Sequence, residues 1–174
     1  ESDACVDCTK GTYNPFTGRT SCQKCMPGTE CPETGMRTFK ECGIGSFQVE
    51  KSQERCEPCP SGRYVSHKGA AACDLCPSGT SNPMYGSHDN SSCIPCLAGR
   101  YAAQEGQSEC TMCADGQFQT DSGRDSCQTC KIVYKDPKMT SNAEHTGCEE
   151  NKALAMNILS GDVINESGFG LLGA

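Results

Sequence analysis

The feature that most constrains this chain is a C-x-x-C pair that returns every 17 residues. Between Cys93 and Cys130 three such pairs follow one another at this spacing. Each interval repeats one frame, in which a glycine lies three residues after the second cysteine, an aromatic residue two further on, then a second glycine and the next cysteine. A fixed period of this kind is the signature of a repeat architecture. The sequence therefore predicts a string of similar small units.

The composition makes covalent cross-links the main source of stability. Hydrophobic residues make up 35% of the 174-residue chain, 17 residues are cysteines, and there is no tryptophan. A typical globular domain is about 45–50% apolar, and ordering each backbone residue costs about 1–2 kcal/mol. A single hydrophobic core is too small to offset that cost here. So many cysteines indicate either a disulfide scaffold in an oxidising compartment or a series of metal sites.

The frame covers residues 1–130, which we predict to be tandem cysteine-rich repeats of about 17 residues. In the second interval Phe39 stands where a cysteine is expected, and an extra Cys31 lies within the same interval. The fifth interval is three residues longer than the others. Residues 131–148 form a degenerate last repeat that ends in a single cysteine, Cys148.

The spacing suggests that the second cysteine of each pair bonds the first cysteine of the next and closes a ring of about 15 residues, each worth about 3 kcal/mol. Because Phe39 replaces its expected partner, Cys25 takes the extra Cys31. The predicted disulfides are Cys8–Cys22, Cys25–Cys31, Cys42–Cys56, Cys59–Cys73, Cys76–Cys93, Cys96–Cys110, Cys113–Cys127 and Cys130–Cys148. Cys5 is unpaired in this segment, and we expect its partner in a repeat upstream. A crossed pairing, Cys25–Cys42 with Cys31–Cys56, uses the same cysteines, and sequence alone does not fix connectivity.

Two residues separate each ring from the next, which is too short a link for free hinging. We therefore expect small disulfide-rich repeats that form an elongated rod, with short β-hairpins and little regular secondary structure. Each unit is expected to touch only its neighbours. The aromatic residue of each frame is expected to lie over the neighbouring disulfide.

Residues 149–174 form a cysteine-free tail of different character. The stretch EENKALAMNILSG predicts a short helix, with acidic residues at its start, apolar residues at i,i+4 and Gly161 just past its end. We expect this tail to dock against a partner that supplies the other apolar face. The candidate docking residues are Leu154, Ile158, Leu159, Phe169, Leu171 and Leu172.

Zinc is the main alternative to disulfides, because C-x2-C-x13-C-x2-C is close to zinc-ribbon spacing. Cys31, Cys42 and Cys148 fall outside a paired zinc scheme, however, and the intervals lack the linkers that separate zinc modules. We therefore expect no metal and no other cofactor. His67, His88 and His145 lie in different intervals without shared spacing, and all three are expected to be solvated.

The chain carries no catalytic signature. It contains no G-x-S-x-G, P-loop or H-E-x-x-H motif, so we expect no enzyme. A net charge of −7 disfavours nucleic acid or an anionic membrane as the main partner. No run of 18 apolar residues is present that would predict a membrane span. Two N-glycosylation sequons occur, at Asn90 and Asn165.

The unit C-x-x-G-x-[YF]…G-x3-C-x2-C resembles the ephrin-receptor-like cysteine-rich repeat, and in layout it is similar to the first half of a tumour-necrosis-factor-receptor module. The resemblance extends from Cys5 to Cys130, and Glu30, Phe39 and Ser81 depart from it. It implies a disulfide-bonded extracellular protein of the type repeated in long ectodomains and surface filaments. Proteins of this type include large surface and flagellar glycoproteins, with mastigoneme-like fibres among them. It implies no catalytic activity.

We therefore expect a non-enzymatic extracellular structural or assembly segment. It would serve as a rod-like spacer and protein–protein interaction module in a larger surface or filament glycoprotein, such as one of the mastigoneme type. Its partners would be other protein chains, copies of itself included. The alternative is a ligand-binding or adhesion receptor ectodomain, which a downstream transmembrane helix and cytoplasmic domain would favour. A third class, an intracellular zinc protein, would require free thiols.

Overall fold

The computed structural model describes residues 7–152. In this range the chain contains eight disulfides in tandem, and they are the sequential pairs from Cys8–Cys22 to Cys130–Cys148 rather than the crossed pairs. The predicted fold class, small disulfide-rich repeats with short hairpins, is confirmed. Cys5, Asn165, Gly161 and the six predicted docking residues of the tail lie outside the described residues.

Each repeat carries one two-stranded antiparallel hairpin. One strand contains the aromatic position of the frame, and the other is formed in most repeats by the two residues inside the next C-x-x-C pair. The paired strands are β1 Thr12–Tyr13 with β2 Gln23–Lys24, β3 Thr29–Glu30 with β4 Lys40–Glu41, β5 Ser46–Phe47 with β6 Glu57–Pro58, β7 Arg63–Tyr64 with β8 Asp74–Leu75, β9 Thr80–Ser81 with β10 Ile94–Pro95, β11 Arg100–Tyr101 with β12 Thr111–Met112, β13 Gln117–Phe118 with β14 Gln128–Thr129, and β15 Met139–Ser141 with β16 Cys148–Glu150. A 3₁₀ turn spans Asn90–Ser92, and helix α1 spans Cys130–Val133.

We number the repeats as rings 1 to 8 by their first cysteines, which are Cys8, Cys25, Cys42, Cys59, Cys76, Cys96, Cys113 and Cys130. Within each ring, the first glycine lies three residues after this cysteine. A second glycine lies seven residues further in rings 1 to 7 except ring 3, where Ser52 takes its place. The residue that directly follows the aromatic position is called the core position.

Successive rings are joined by three backbone hydrogen bonds, which rings 3 and 4 illustrate. The first glycine of ring 3, Gly45, donates to the carbonyl of Val65 at 2.9 Å. The core-position amide of Gln48 donates to the carbonyl of Ala70 at 3.1 Å, and the second glycine of ring 4, Gly69, donates back to the carbonyl of Cys42 at 2.9 Å. The first and third bonds recur at six junctions and the second at all seven. We call this set the inter-ring ladder.

The rings also contact their second neighbours, so the expectation that each unit touches only its neighbours is wrong. A Cβ atom added to Gly62 in ring 4 would overlap the carbonyl oxygen of Gly106 in ring 6. The same close approach recurs along the stack, at Gly11–Ser52, Gly28–Gly69, Gly45–Gly86, Gly79–Gly123 and Gly99–Glu144. The first glycine therefore meets two requirements, a positive φ, which is 80° at Gly62, and the absence of a side chain.

The buried column of the rod is formed by the core positions, which the repeat pattern did not single out. From ring 2 to ring 7 these residues are fully or almost fully buried, and they are Cys31, Gln48, Val65, Asn82, Ala102 and Gln119. Where the residue is an amide, it ties the ring internally. Gln48 Nε2 donates to the carbonyl of Arg55 at 2.8 Å, and its Oε1 accepts from the Glu50 N–H at 3.0 Å.

The aromatic position lies against the disulfide of the following ring. Phe47 of ring 3 packs on a buried cluster that contains both cysteines of ring 4, Cys59 and Cys73. Where a polar residue replaces the aromatic, it reaches the same place. Glu30 Oε2 accepts a hydrogen bond of 2.8 Å from the N–H of Cys56, and Ser81 Oγ lies 3.3 Å from Cys110 Sγ.

Ring 2 keeps the fold although its disulfide, Cys25–Cys31, closes a much shorter loop than the disulfides of the other rings. Its hairpin forms, and its ladder bonds to rings 1 and 3 are present. Phe39 occupies the position of the missing cysteine, and the Tyr13 ring of ring 1 lies against it with centroids 5.4 Å apart in an edge-to-face arrangement. An aromatic pair thus replaces the usual contact of an aromatic ring with a disulfide.

Ring 8 departs most from the frame. Helix α1 replaces the turn that begins the other rings, and the closing strand β16 extends past Cys148 to Glu150. The residues Glu149 and Glu150, which were predicted to open the helical tail, therefore belong to the last hairpin. Nearly all of the helix predicted after them lies beyond Lys152 and outside the described residues.

The close approach at the first glycine predicts unequal costs for two glycine-to-alanine substitutions. Gly116→Ala introduces only the strain of a positive φ, because nothing lies within 4 Å of the added Cβ, and should cost about 1–2 kcal/mol. Gly62→Ala adds a collision with a backbone carbonyl and should cost at least about 3 kcal/mol. Urea denaturation with the disulfides intact measures both values. Equal costs would contradict the packing described for the second-neighbour contact.

Ring 2 predicts that the standard ring can be restored by the double substitution Cys31→Gln and Phe39→Cys. We expect Cys25 to pair with the new cysteine at position 39, and the new glutamine at position 31 to take the role of Gln48. Enlarging the closed loop from about 7 to about 15 residues is worth about 0.7 kcal/mol in the chain-entropy model. Loss of the aromatic contact between positions 13 and 39 costs about 0.5–1.5 kcal/mol, so stability should change by less than about 1 kcal/mol. Disulfide mapping by mass spectrometry checks the pairing, and a partner other than position 39 for Cys25 would refute it.

Candidate interaction surface

The loop that follows the core position of ring 5 places apolar side chains on the surface. The core-position residue Asn82 is fully buried, and its Nδ2 donates to the carbonyl of Arg63 at 3.1 Å and to Ser87 Oγ at 2.9 Å. Its Oδ1 accepts from the N–H of Met84 at 3.0 Å. This buried amide fixes the start of a loop in which Met84 is 65% and Tyr85 70% exposed.

A shallow apolar groove lies beside this loop, where ring 5 meets ring 6. Its volume is about 390 Å³. Ile94, in strand β10, is 57% exposed and Leu97, just after the cysteine pair, 72% exposed. The groove is lined by Ser81, Pro83, Ile94, Pro95, Cys96, Leu97, Arg100, Ser108, Glu109 and Cys110. Contiguous apolar surface of this kind is typical of a contact site for another molecule.

Two charged residues of ring 6 border the groove. Arg100, in strand β11, donates from Nη1 to the carbonyl of Cys110 at 3.3 Å, which holds the guanidinium along the groove. Glu109 lines the same edge. The groove can therefore receive an apolar side chain of a partner and offer it one cation and one anion. Among the groove residues there is no histidine, serine–base pair or paired carboxylates that could carry catalysis.

The sequon at Asn90 lies at the far end of the same loop, in the 3₁₀ turn Asn90–Ser92. Asp89 caps this turn, accepting from the hydroxyl and the backbone N–H of Ser91. These hydrogen bonds, the hydroxyl first, lower the pKa of the Asp89 carboxyl below its usual value. The Asn90 side chain is exposed, so the turn presents it to solvent.

The exposed apolar residues of rings 5 and 6 were not predicted from the sequence, although the frame carried a signal. In each C-x-x-C pair that ends one ring and begins the next, the first of the two enclosed residues is exposed. In six of the seven pairs from Cys22 to Cys130 it is polar, and these residues are Gln23, Lys40, Glu57, Asp74, Thr111 and Gln128. In the remaining pair it is Ile94. An isoleucine at an exposed position of the frame indicates a contact surface.

The described residues contain no group of three or more His, Cys, Asp or Glu side chains placed to hold a metal ion. His67 and His88 are exposed, as expected. His145 is not, and the expectation that it is solvated is wrong. Its side chain is 12% exposed and Nδ1 lies 3.4 Å from the carbonyl oxygen of Gln117, because its own carbonyl is the ladder acceptor for Gln119. Within residues 7–152 no helix has the length and hydropathy that a membrane span requires.

A comparison with protein families matches the model described as tyrosine-protein kinase ephrin type A/B receptor-like, at residues 45–93 and again at residues 84–127. The two matches run from the first glycine of ring 3 to the last cysteine of ring 7. Residues 45–127 are ephrin-receptor-like repeats. They make up a little under half of the chain, and the same ring and ladder geometry continues on both sides of them. A search of curated proteins found no match.

The matched repeats are of an extracellular type. The eight tandem disulfides of residues 7–152 are typical of an oxidising compartment. The family is a receptor-like ectodomain repeat, not a catalytic domain. Repeats of this type are extracellular protein-interaction modules.

Proposed function

We propose that this chain is a rod-like spacer and assembly segment of a larger extracellular surface or filament glycoprotein, of the kind that includes mastigoneme-like fibres. The observation that carries the proposal is the inter-ring ladder. It joins every ring to the next by backbone hydrogen bonds, so the segment keeps its length and direction without a central core. This is the property that a spacer requires.

Assembly with other protein chains would use side chains that the ladder leaves free. Ile94 and Leu97 supply apolar area in the groove. Met84 and Tyr85 are exposed in the neighbouring loop of ring 5. A polar rim with one arginine and one glutamate is typical of a specific protein contact. The apolar tail, with Leu154, Ile158, Leu159, Phe169, Leu171 and Leu172, is proposed as a second docking element.

A ligand-binding or adhesion receptor ectodomain is the second candidate function. The groove favours it, because a localised site suits one ligand. The two candidates differ in the partner, since assembly predicts contacts between copies or filament components and a receptor predicts a soluble ligand.

Asn90 is proposed as an N-glycan site. Its side chain is exposed, and the 3₁₀ turn in which it lies is capped within the loop and makes no ladder bond to a neighbouring ring. A glycan there would flank the groove of rings 5 and 6 without disturbing the stack. It would leave the groove itself open to a protein partner.

Scattering and self-association test the assembly proposal. A globular protein of this length has a radius of gyration of about 16 Å, and the rod should exceed it clearly. Sedimentation should show concentration-dependent association that is lost in the double variant Ile94→Ser, Leu97→Ser. Val49→Ser, at a residue that is 59% exposed outside the groove, is the matched control. A chain that stays monomeric at all concentrations favours the receptor alternative.

The glycan proposal is tested on the chain secreted from eukaryotic cells. Peptide mapping before and after N-glycosidase treatment should find a glycan on the peptide that contains Asn90. Asn90→Gln and Ser92→Ala should each remove it, because both alter the sequon. Ser91→Ala alters the hydrogen bonds to Asp89 but not the sequon, and should retain the glycan. An unmodified Asn90 in the secreted wild-type chain would exclude the site.

A further inference from the structure

The two ends of the described stack differ in the backbone groups that they present. Every ring from 2 to 7 receives the preceding ring through three groups, which are the core-position carbonyl, the carbonyl after the second glycine and the N–H at the second-glycine position. In ring 1 the corresponding groups are the carbonyls of Asn14 and Arg19 and the N–H of Gly18. Among the described residues none of these three has a hydrogen-bond partner.

The glycine contacts give the same result independently. In rings 2, 4, 5, 6 and 7 the second glycine is covered by the side chain that precedes the first cysteine of the ring before, as Asp7 covers Gly35 and Pro58 covers Gly86. Gly18 has the same positive φ, 78°, but nothing in the described part of the chain lies within 4 Å of its Cβ position. Ring 1 thus has the shape of a ring that receives another, with the receiving face open.

A cavity of about 270 Å³ lies at this face. Gly18 and Asn14 line it together with Arg19, whose guanidinium lies 4.7 Å from the centroid of the Phe16 ring. Phe16 itself is 55% exposed. The open groups of the ladder therefore border a recess that a ring can enter.

The opposite end of the stack is different. In ring 8, Val133 stands where the other rings have their first glycine, inside helix α1. In ring 7, the N–H of Gly116 is already satisfied by Ser141 Oγ at 3.1 Å. Within residues 7–152, ring 8 thus lacks the first glycine with which rings 1 to 6 donate to the next ring, whereas ring 1 keeps its receiving groups open.

We infer that the open face of ring 1, formed by Asn14, Gly18 and Arg19, is a docking site for one further ring of the same frame. The six junctions between rings 1 and 7 fix how that ring is seated. Its first glycine donates to the Asn14 carbonyl, its core-position N–H donates to the Arg19 carbonyl, and the carbonyl of its first cysteine accepts from Gly18. Its first glycine also lies against the Gly35 carbonyl of ring 2, so that position tolerates no side chain. The inference concerns this face alone and is independent of the partner that the groove of rings 5 and 6 binds.

The test adds such a ring to the full chain. A copy of residues 57–69 is joined to Ser2 in place of Glu1, so that the cysteine copied from Cys59 precedes Cys5 by 14 residues, the separation of Cys59 and Cys73. We expect these two cysteines to form a disulfide and the amide exchange of Gly18 to slow at least about tenfold, towards that of Gly69. The amide of Gly69 also reports whether the rest of the stack is intact.

A matched control separates docking from covalent attachment. The same extension, with the copied Gly62 changed to alanine, can still form the disulfide with Cys5 but collides with the Gly35 carbonyl. Gly18 should then exchange at the rate of the unextended chain. If Gly18 stays unprotected in the extended chain while the disulfide to Cys5 has formed, or is already protected in the unextended chain, the inference is wrong.

Discussion

The close passage of one backbone past another, at the first glycine of rings 1 to 6, is the constraint on which the rest of this structure depends. It allows the carbonyl of a ring two places further on to reach the glycine, as Gly106 reaches Gly62. It also brings three pairs of backbone donors and acceptors into register at six of the seven junctions. Because these bonds involve no side chain, most positions of the loops are free to vary. The chain can therefore fold with few apolar residues, since the backbone and the disulfides supply what a core supplies elsewhere.

The ladder and the disulfides have different roles in the structure, as rings 2 and 5 show. Ring 2 lacks the usual cross-ring disulfide and still keeps its hairpin and its ladder bonds to both neighbours. Ring 5 has three more residues, which lie between Gly86 and Cys93, and its ladder bonds are unbroken. Register is thus set by the backbone contacts, whereas the disulfides mainly restrict the unfolded chain. A ring can lose or move a disulfide, or gain residues, and still stack.

The sequence predicts the features of this fold that depend on residue identity at a fixed spacing. Cysteine periodicity predicts the rings and the sequential pairing, and the aromatic position predicts the contact seen between Phe47 and the next disulfide. The core position was missed because cysteine, glutamine, valine, asparagine and alanine all fill it. Each of these residues fills the same small buried space, and it is held there by a disulfide, by hydrogen bonds within the ring or by packing alone. The second-neighbour contact was missed because it involves only backbone atoms, and a glycine that recurs in every ring is explained equally well by a tight turn.

Because backbone hydrogen bonds hold the stack together, the length of the rod and the side chains that contact a partner can change independently. Adding or removing a ring changes the length of the rod by one unit and leaves the other junctions as they are. Recognition depends instead on the few outward positions where the frame departs from polar residues, of which Ile94 in an otherwise polar series is the clearest. The ring frame therefore places a contact surface at a set distance along the rod. Within residues 7–152 the two ends of the ladder differ at two positions, Gly18, whose Cβ position has no described atom within 4 Å, and position 133, where a valine stands in place of the first glycine.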